Sequence, residues 1–286
     1  NGSNSGYVRI YENISGTWNQ IGQDIEGAQS NDNSGYSISL NSYGNIVAIG
    51  SPNGIDANGA YSGHVRVYEN ISGTWTQIGL NIDAAYQAAQ ANDKFGSSLS
   101  LSADGNTVAI GAPYAHGNNY NDDPDRGRVR IYKNISGVWT IVHQSTGTND
   151  KDYYGYSVSL SSDGNTVAIG ALMANINNPS INFRGAVYIR QTSPFGNINY
   201  SQIWQYYGSA AWDQLGYSVS ISSDGSIVAV GARNNDDNGT NSGQVRVFEK
   251  NILGPYYQIG QDINGESAQD NSGHSISLRH DGAAIA

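Results

Sequence analysis

The stretch "FGSSLSLSADGNTVAIGAP", residues 95–113, decides the fold of this chain. Serine alternates with leucine over Ser98–Leu101, the pattern of a half-buried strand. Asp104-Gly105 then turns the chain, and the apolar run that follows ends in Gly111-Ala112-Pro113. The reading is two short antiparallel strands joined by a two-residue turn, with positive φ at both Asp and Gly. Nearly the same phrase returns as "YGYSVSLSSDGNTVAIGAL" at 154–172 and "LGYSVSISSDGSIVAVGAR" at 215–233. Related forms are anchored on Gly35 and Gly273.

A second phrase alternates with the first. It opens as "GYVRIYENISGTWNQIG" at Gly6, "GHVRVYENISGTWTQIG" at Gly63 and "GRVRIYKNISGVWTIVH" at Gly127, with weaker copies at Gly185 and Gly243. Each unit therefore holds four candidate strands rich in β-branched and aromatic residues. Four antiparallel strands repeated radially are the signature of a β-propeller blade. Residues 1–6, "NGSNSG", match "NGTNSG" at 238–243, between the second and third strands of a blade. The C-terminal "GHSISLRHDGAAIA" is the first two strands of one. The expectation is an all-β propeller, a single domain over 1–286, with five blades of four antiparallel strands. One blade is shared between the N- and C-terminal strands, which leaves no open edge. The other possibility is a piece cut from a longer surface protein.

Composition narrows the function. The formal net charge of −10 and only 14 Lys and Arg argue against a phosphate-binding surface, so no nucleic-acid partner is expected. No cysteine is present, so neither disulfides nor zinc–thiolate sites are available. No apolar run approaches the roughly 20 residues that span a bilayer, so no membrane insertion is expected. The chain lacks a starting Met and reads as a mature or trimmed product.

Phe95-Gly96 followed by Gly111-Ala112-Pro113 resembles the FG-GAP repeat of integrin α-subunit propellers and many bacterial surface proteins. The resemblance covers the chain five times and is nearest to the short variant with "DGNTVAIGAP". It implies an extracellular or cell-surface location and a role in adhesion or recognition. The full "FG" and the full "GAP" each occur once. The calcium loop common in integrin repeats is reduced here to "SADGN", "SSDGN" or "SSDGS" with one carboxylate, too few for calcium's six to eight oxygens.

Residues present in every unit read as scaffold. Asp32, Asp93, Asp152, Asp213 and Asp270 each precede an anchor glycine by three positions and read as turn acceptors. Trp18, Trp75 and Trp139, replaced by Tyr200 and Tyr256, read as blade packing. Arg9, Arg66, Arg130 and Arg246 stand two residues before Tyr11, Tyr68, Tyr132 and Phe248, with the order swapped at Tyr188 and Arg190. Residues i and i+2 share a strand face, so cation–π pairs are expected there. Residues that break the repeat are the candidate site. Trp204, Tyr206, Tyr207 and Trp212 form an aromatic cluster suited to a ligand surface. Asp122, Asp123, Asp125, Asp236 and Asp237, in polar loops, could hold Ca2+, the sole cofactor considered. His64, His116, His143, His274 and His280 show no metal-ligand spacing. Asn13, Asn70, Asn134, Asn199 and Asn238 are glycosylation acceptors if the chain is made in a eukaryotic secretory pathway, and Asn1 stands in the same sequence context.

The expected function is a non-catalytic extracellular module that binds a protein or glycan on a cell surface or matrix through its loops. A multivalent lectin with one sugar site per blade is the alternative. A glycoside hydrolase ranks below both, because the inner strands carry no acid and no Gly-x-Ser-x-Gly elbow is present. The chain is therefore expected not to be an enzyme.

Overall fold

The computed structural model describes residues 2–57, 59–84, 92–116, 125–175, 183–192, 200–252 and 254–286. All its regular elements are strands. An N-terminal half-blade holds β1 (Tyr7–Val8), β2 (Tyr11–Ile14), β3 (Thr17–Gln20) and β4 (Ile25–Glu26). Four whole blades follow. Blade 1 holds β5 (Ser37–Leu40), β6 (Ile46–Ser51), β7 (His64–Ile71), β8 (Thr74–Gln77) and β9 (Ile82–Asp83). Blade 2 holds β10 (Ser98–Leu101), β11 (Thr107–Ala112), β12 (Arg128–Ile135) and β13 (Val138–Thr146). Blade 3 holds β14 (Tyr154–Leu160), β15 (Thr166–Ala171), β16 (Ala186–Thr192) and β17 (Tyr200–Tyr207). Blade 4 holds β18 (Leu215–Ile221), β19 (Ile227–Ala232), β20 (Gln244–Lys250), β21 (Tyr256–Gln258) and β22 (Ile263–Asn264). The chain ends in a hairpin bridged at Leu278 and Ile285. Within each whole blade the first four strands pair antiparallel in chain order, and β9 and β22 pair back on β7 and β20.

The turns differ from expectation in one respect. At Gly105, Gly164 and Gly225 the glycine takes positive φ, but the preceding aspartate does not. Gly105 N–H donates to the Ser102 carbonyl, and the Asp104 carboxylate accepts from Asn106 N–H. These turns are held by the aspartate side chain rather than by a left-handed pair. The two-residue turn with positive φ at both positions sits instead at the Asn-Ile-Ser-Gly tips, on Ser15-Gly16, Ser72-Gly73 and Ser136-Gly137.

Burial lies between blades. Ile46, Ala48, Val65 and Val67 of blade 1 pack against Phe95, Leu99, Leu101 and Ile110 of blade 2, and the pattern repeats along the chain. The recurring arginines tie blades together. Arg66 donates to the Glu26 carbonyl at 2.8 Å, and Arg130 to the Ala84 carbonyl at 2.7 Å. The expected in-strand cation–π pair is found for Arg66 over Tyr68. Arg130 lies over Phe95 and Arg246 over Tyr206, because these guanidinium groups reach outside their own strand to other rings. Arg9 lies over Tyr7, on the other side of its strand position from Tyr11.

The expected shared blade is not formed. No backbone hydrogen bond joins the N-terminal half-blade to the C-terminal hairpin among the described residues, and no sheet is closed. On the inner strand β5, Ile38 is 56% and Leu40 45% exposed, whereas the equivalent Leu99 and Leu101 are 8% and 7% exposed. The outer aromatics repeat this contrast. Trp75 is 3% exposed and its indole donates to the Ile21 carbonyl of the preceding unit, whereas Trp18 is 67% exposed and makes no such bond among the described residues. Trp75→Ala is therefore expected to destabilise the fold by about 3–5 kcal/mol. Trp18→Ala should change stability by less than about 0.5 kcal/mol. Chemical denaturation of the two variants checks the contrast.

Burial, with the Arg190 guanidinium adding to it, pushes His143 down to about 4. The unfolded chain then takes up a proton near pH 6.5 that the native state refuses. Stability should fall as pH drops from about 6.5 toward 4, and fall less steeply in His143→Gln. Denaturant midpoints measured across that window check the sign.

Candidate functional site

Each inner strand is preceded by the same tight loop. The residue after the anchor glycine donates its N–H back three positions, as in Tyr156 to Tyr153, Tyr217 to Gln214 and His274 to Asn271. The anchor glycines sit at φ near +88°, as at Gly155 (φ 86°) and Gly216 (φ 88°), and the next side chain is thereby presented at one fixed position per unit. That position carries Tyr36, Ser97, Tyr156, Tyr217 and His274. In three successive units these rings meet: Tyr156 and Tyr217 lie 5.1 Å apart, and Tyr217 and His274 lie 5.0 Å apart.

Arg233 completes the cluster. It occupies the place of proline in the "GAP" phrase, at the end of β19. Its guanidinium lies 4.2 Å over the Tyr217 ring, donates to the Tyr217 hydroxyl at 3.0 Å, and donates to Gln214 Oε1 at 3.1 Å. No carboxylate pairs with it among the described residues. The Tyr217 oxygen, accepting from Arg233, can direct its own hydrogen to His274 Nε2 at 3.3 Å. That bond leaves Nε2 as the unprotonated nitrogen. Burial, followed by the hydrogen bond with Tyr217, pushes the Tyr156 hydroxyl up, so it remains a proton donor. Nearby, Tyr114 and Tyr153 pack edge to face at 5.3 Å, and Tyr36 acts electrostatically on both Tyr114 and Tyr156. A cation without a counter-ion, two hydroxyls and an imidazole acceptor thus converge where blades 3 and 4 meet the C-terminal hairpin. This arrangement can bind an oxygen that carries negative charge and accept a proton beside it.

The sequence-derived candidates do not form one site. Trp204 and Tyr206 stack on each other and pack against Phe248 of blade 4 at 4.9 and 4.8 Å. The Tyr206 hydroxyl accepts from Arg246 at 2.8 Å. Tyr207 lies elsewhere, with its hydroxyl 3.4 Å from that of Tyr188. Trp212 is 55% exposed and packs at a tilt against Phe183, with ring centroids 4.6 Å apart. Asp236 accepts from Asn241 N–H and Asp237 from Gln244 Nε2. Asp125 acts electrostatically on Tyr114 and Tyr153, which places it beside the inner cluster. Asp122, Asp123 and Asn199 lie outside the described residues. Among the described residues no group of three or more His, Asp or Glu is placed to hold a metal.

Asn13, Asn70 and Asn134 use their side-chain oxygens to accept the N–H of Gly16, Gly73 and Gly137 at the hairpin tips. Asn238 donates to the Gly265 carbonyl. The recurrent aspartates accept backbone N–H groups three positions back, as in Gln29 to Asp32 and Ala210 to Asp213, both at 2.8 Å. Arg233, His274, Tyr156 and Tyr217 were not singled out as a site from sequence. The signal for Tyr156, Tyr217 and His274 is the position after each anchor glycine, and for Arg233 the third position of the "GAP" phrase, where the side chain varies while its surroundings repeat.

A profile described as FG-GAP repeat matches residues 208–248. This segment carries an FG-GAP repeat. No curated protein matches the chain in sequence. In structure the chain is similar to the periplasmic gluconolactonase of Pseudomonas aeruginosa, with a TM-score of 0.55 and 18% identity over 89% of this chain and 63% of that one. It is also similar to a putative 6-phosphogluconolactonase of Bacteroides fragilis, with a TM-score of 0.56 and 12% identity over 91% and 65%. The chain spans just under two thirds of the length of these two structures. At such identities the shared property is the fold.

The comparison corrects the expected function. The solved structures that this fold resembles are named as lactonases, which goes against the expected non-catalytic adhesion or carbohydrate-binding module, the lectin alternative included. Both names are those of enzymes, which conflicts with the expectation that the chain is not one. The repeat match does not extend to an integrin identity.

Trp204 and Trp212 give this placement a direct test. Trp204→Ala, which strips packing from Phe248 and Tyr256, should lower stability by about 3 kcal/mol. Trp212→Ala should cost about 1 kcal/mol or less, as expected for a half-exposed ring with one aromatic neighbour. Parallel urea titrations separate the two.

Proposed function

We propose that this chain is a hydrolase of small cyclic esters, of the sugar-acid lactone class, working outside the cytoplasm. The observation that carries the reading is the convergence of Arg233, Tyr217 and His274, a cation with no carboxylate partner among the described residues beside an imidazole acceptor. The names of the two similar structures support the substrate class, and the periplasmic origin of one supports the location. Fold alone would not suffice, since one fold hosts many chemistries.

The lactone carbonyl oxygen is received by the Arg233 guanidinium and by the Tyr217 hydroxyl, which turns its hydrogen from His274 to the substrate. His274 Nε2, so released, takes a proton from water while the water oxygen attacks the carbonyl carbon. The tetrahedral oxyanion is held by the same two donors. The ring C–O bond then breaks, and the departing oxygen takes the proton back from His274. A hydroxy acid leaves, and the enzyme returns to its starting protonation.

The test follows acid release from glucono-δ-lactone by pH-stat, above the spontaneous rate. Saturable turnover is expected, with His274→Ala lowering kcat by about 100-fold or more. Arg233→Gln should lower it by about 100-fold through loss of an oxyanion donor. Hydrolysis no faster than in buffer, or variants as active as the parent, overturns the reading.

A further inference from the structure

Two successive junctions between outer strands differ by one side chain. Between the N-terminal half-blade and blade 1, Gln23 spans the gap. Trp75 N–H donates to its Oε1 at 3.1 Å, and its Nε2 donates to the Trp75 carbonyl at 2.9 Å. Between blades 1 and 2 the indole bond recurs, from Trp139 to the Ile78 carbonyl at 3.1 Å. The place of Gln23, however, is taken by Leu80. Its side chain can neither donate nor accept, and it stands 87% exposed.

A cavity of about 630 Å³ lies at this junction, between the β8–β9 connection and β13. That is inside the roughly 300–1,000 Å³ of small-ligand sites. Leu80, Val138 and Ile141 give it apolar walls, and the side chains of Tyr132 and Trp139 add two rings. Asp83, at the end of β9, is the one charged residue lining it among the described residues. Asp83 Oδ2 accepts from Ala57 N–H at 3.1 Å. Asp83 Oδ1 is buried and has no hydrogen-bond partner. Burial, opposed by the Ala57 N–H and reinforced by the Asp56 carboxylate, pushes this carboxyl up, and no cation of the described residues offsets it. A second cavity of about 420 Å³ is lined by Asp83 and Asp56 together, so the acidic end continues past the first.

A buried carboxylate oxygen without a donor is costly, and a cation that brings its own N–H groups removes the cost. Aromatic rings beside it favour the same charge. We propose that this cavity binds a primary ammonium compound with a flat apolar body, the ammonium on Asp83 and the body against Leu80, Val138, Ile141 and Trp139. The site lies at the outer strands of blades 1 and 2, whereas Arg233 and His274 stand where blade 4 meets the C-terminal hairpin. This inference therefore does not rest on the lactonase reading.

Isothermal titration with 2-phenylethylammonium tests it, beside 2-phenylethanol, which has the same body without the charge, and 3-phenylpropionate, an anion. The ammonium should bind saturably, one per chain, about 10-fold or more tighter than the alcohol, and the anion should not bind. Asp83→Asn keeps an acceptor for Ala57 N–H and should erase the preference for the ammonium over the alcohol. Leu80→Gln restores the side chain of the preceding junction and should abolish binding of both. Leu80 is exposed, so the melting temperature of this second variant should not fall below that of the parent. No saturable binding of 2-phenylethylammonium, equal affinity for 2-phenylethanol, or binding unchanged in either variant overturns the proposal.

Discussion

The contact between two glycines of adjacent units sets the geometry of this molecule. A Cβ built on Gly111 would lie 2.1 Å from the Gly155 carbonyl oxygen, and one on Gly170 would lie 2.0 Å from that of Gly216. Backbones at this distance leave no room for a side chain, so the glycine of the "GAP" phrase and the anchor glycine of the next unit require each other. The serine hydroxyl that reaches the same carbonyl fixes the approach in register. Everything farther out follows from that closeness, because facing sheets then bury aliphatic residues that one blade alone would leave wet. Two phrases that look like separate motifs are therefore the two halves of one inter-blade contact. Gly35 is the exception that shows the cause. Among the described residues no glycine of another unit meets it, and its nearest neighbours are Val8 and Tyr7.

Much of this was legible in the sequence because the repeat states its own constraints. Four strands per unit, the half-units at both ends and the scaffold role of the aspartates could be read from phrases that recur in one environment. The turns were read less well. Asp-Gly promised a left-handed pair, yet the Asp104 carboxylate finds Ser102 and Asn106 within reach and keeps its own backbone right-handed. A local side-chain hydrogen bond overrode the dipeptide preference. The arginines were seen as in-strand partners of aromatics, but a long side chain near a blade boundary can satisfy more donors across it. Arg130 reaches across to the Ala84 carbonyl and, within its own blade, to Gln144 Oε1.

The site was less legible for a different reason. Composition drew attention to clustered aromatics such as Trp204 and Tyr206, and proximity in sequence made them look like one surface. Alternation along β17 separates them: Trp204 and Tyr206 face blade 4, and Tyr207 turns toward Tyr188. Arg233 and His274 are 41 residues apart, counting from 233 to 274, and neither stands in a recognisable motif. They come to the same Tyr217 side chain only because the glycine contact brings the end of β19 and the start of the next unit together at the inner edge.

A repeat that fixes its backbone this tightly leaves function to positions whose side chains are free to differ. The position after the anchor glycine is one of them. Replacing its side chain disturbs neither the glycine contact nor the serine bond, which are made by neighbouring residues. The third position of "GAP" is another, occupied by Pro52, Pro113, Leu172 and Arg233 in turn. Where blades 3 and 4 meet the C-terminal hairpin, both positions depart from apolar or small residues together, and a cation is set over a phenol ring beside an imidazole. Elsewhere the same two positions offer Ser97 with Pro113, which bring neither charge nor base. The scaffold thus confines one reactive arrangement to a single junction, although it repeats the backbone of that junction four times.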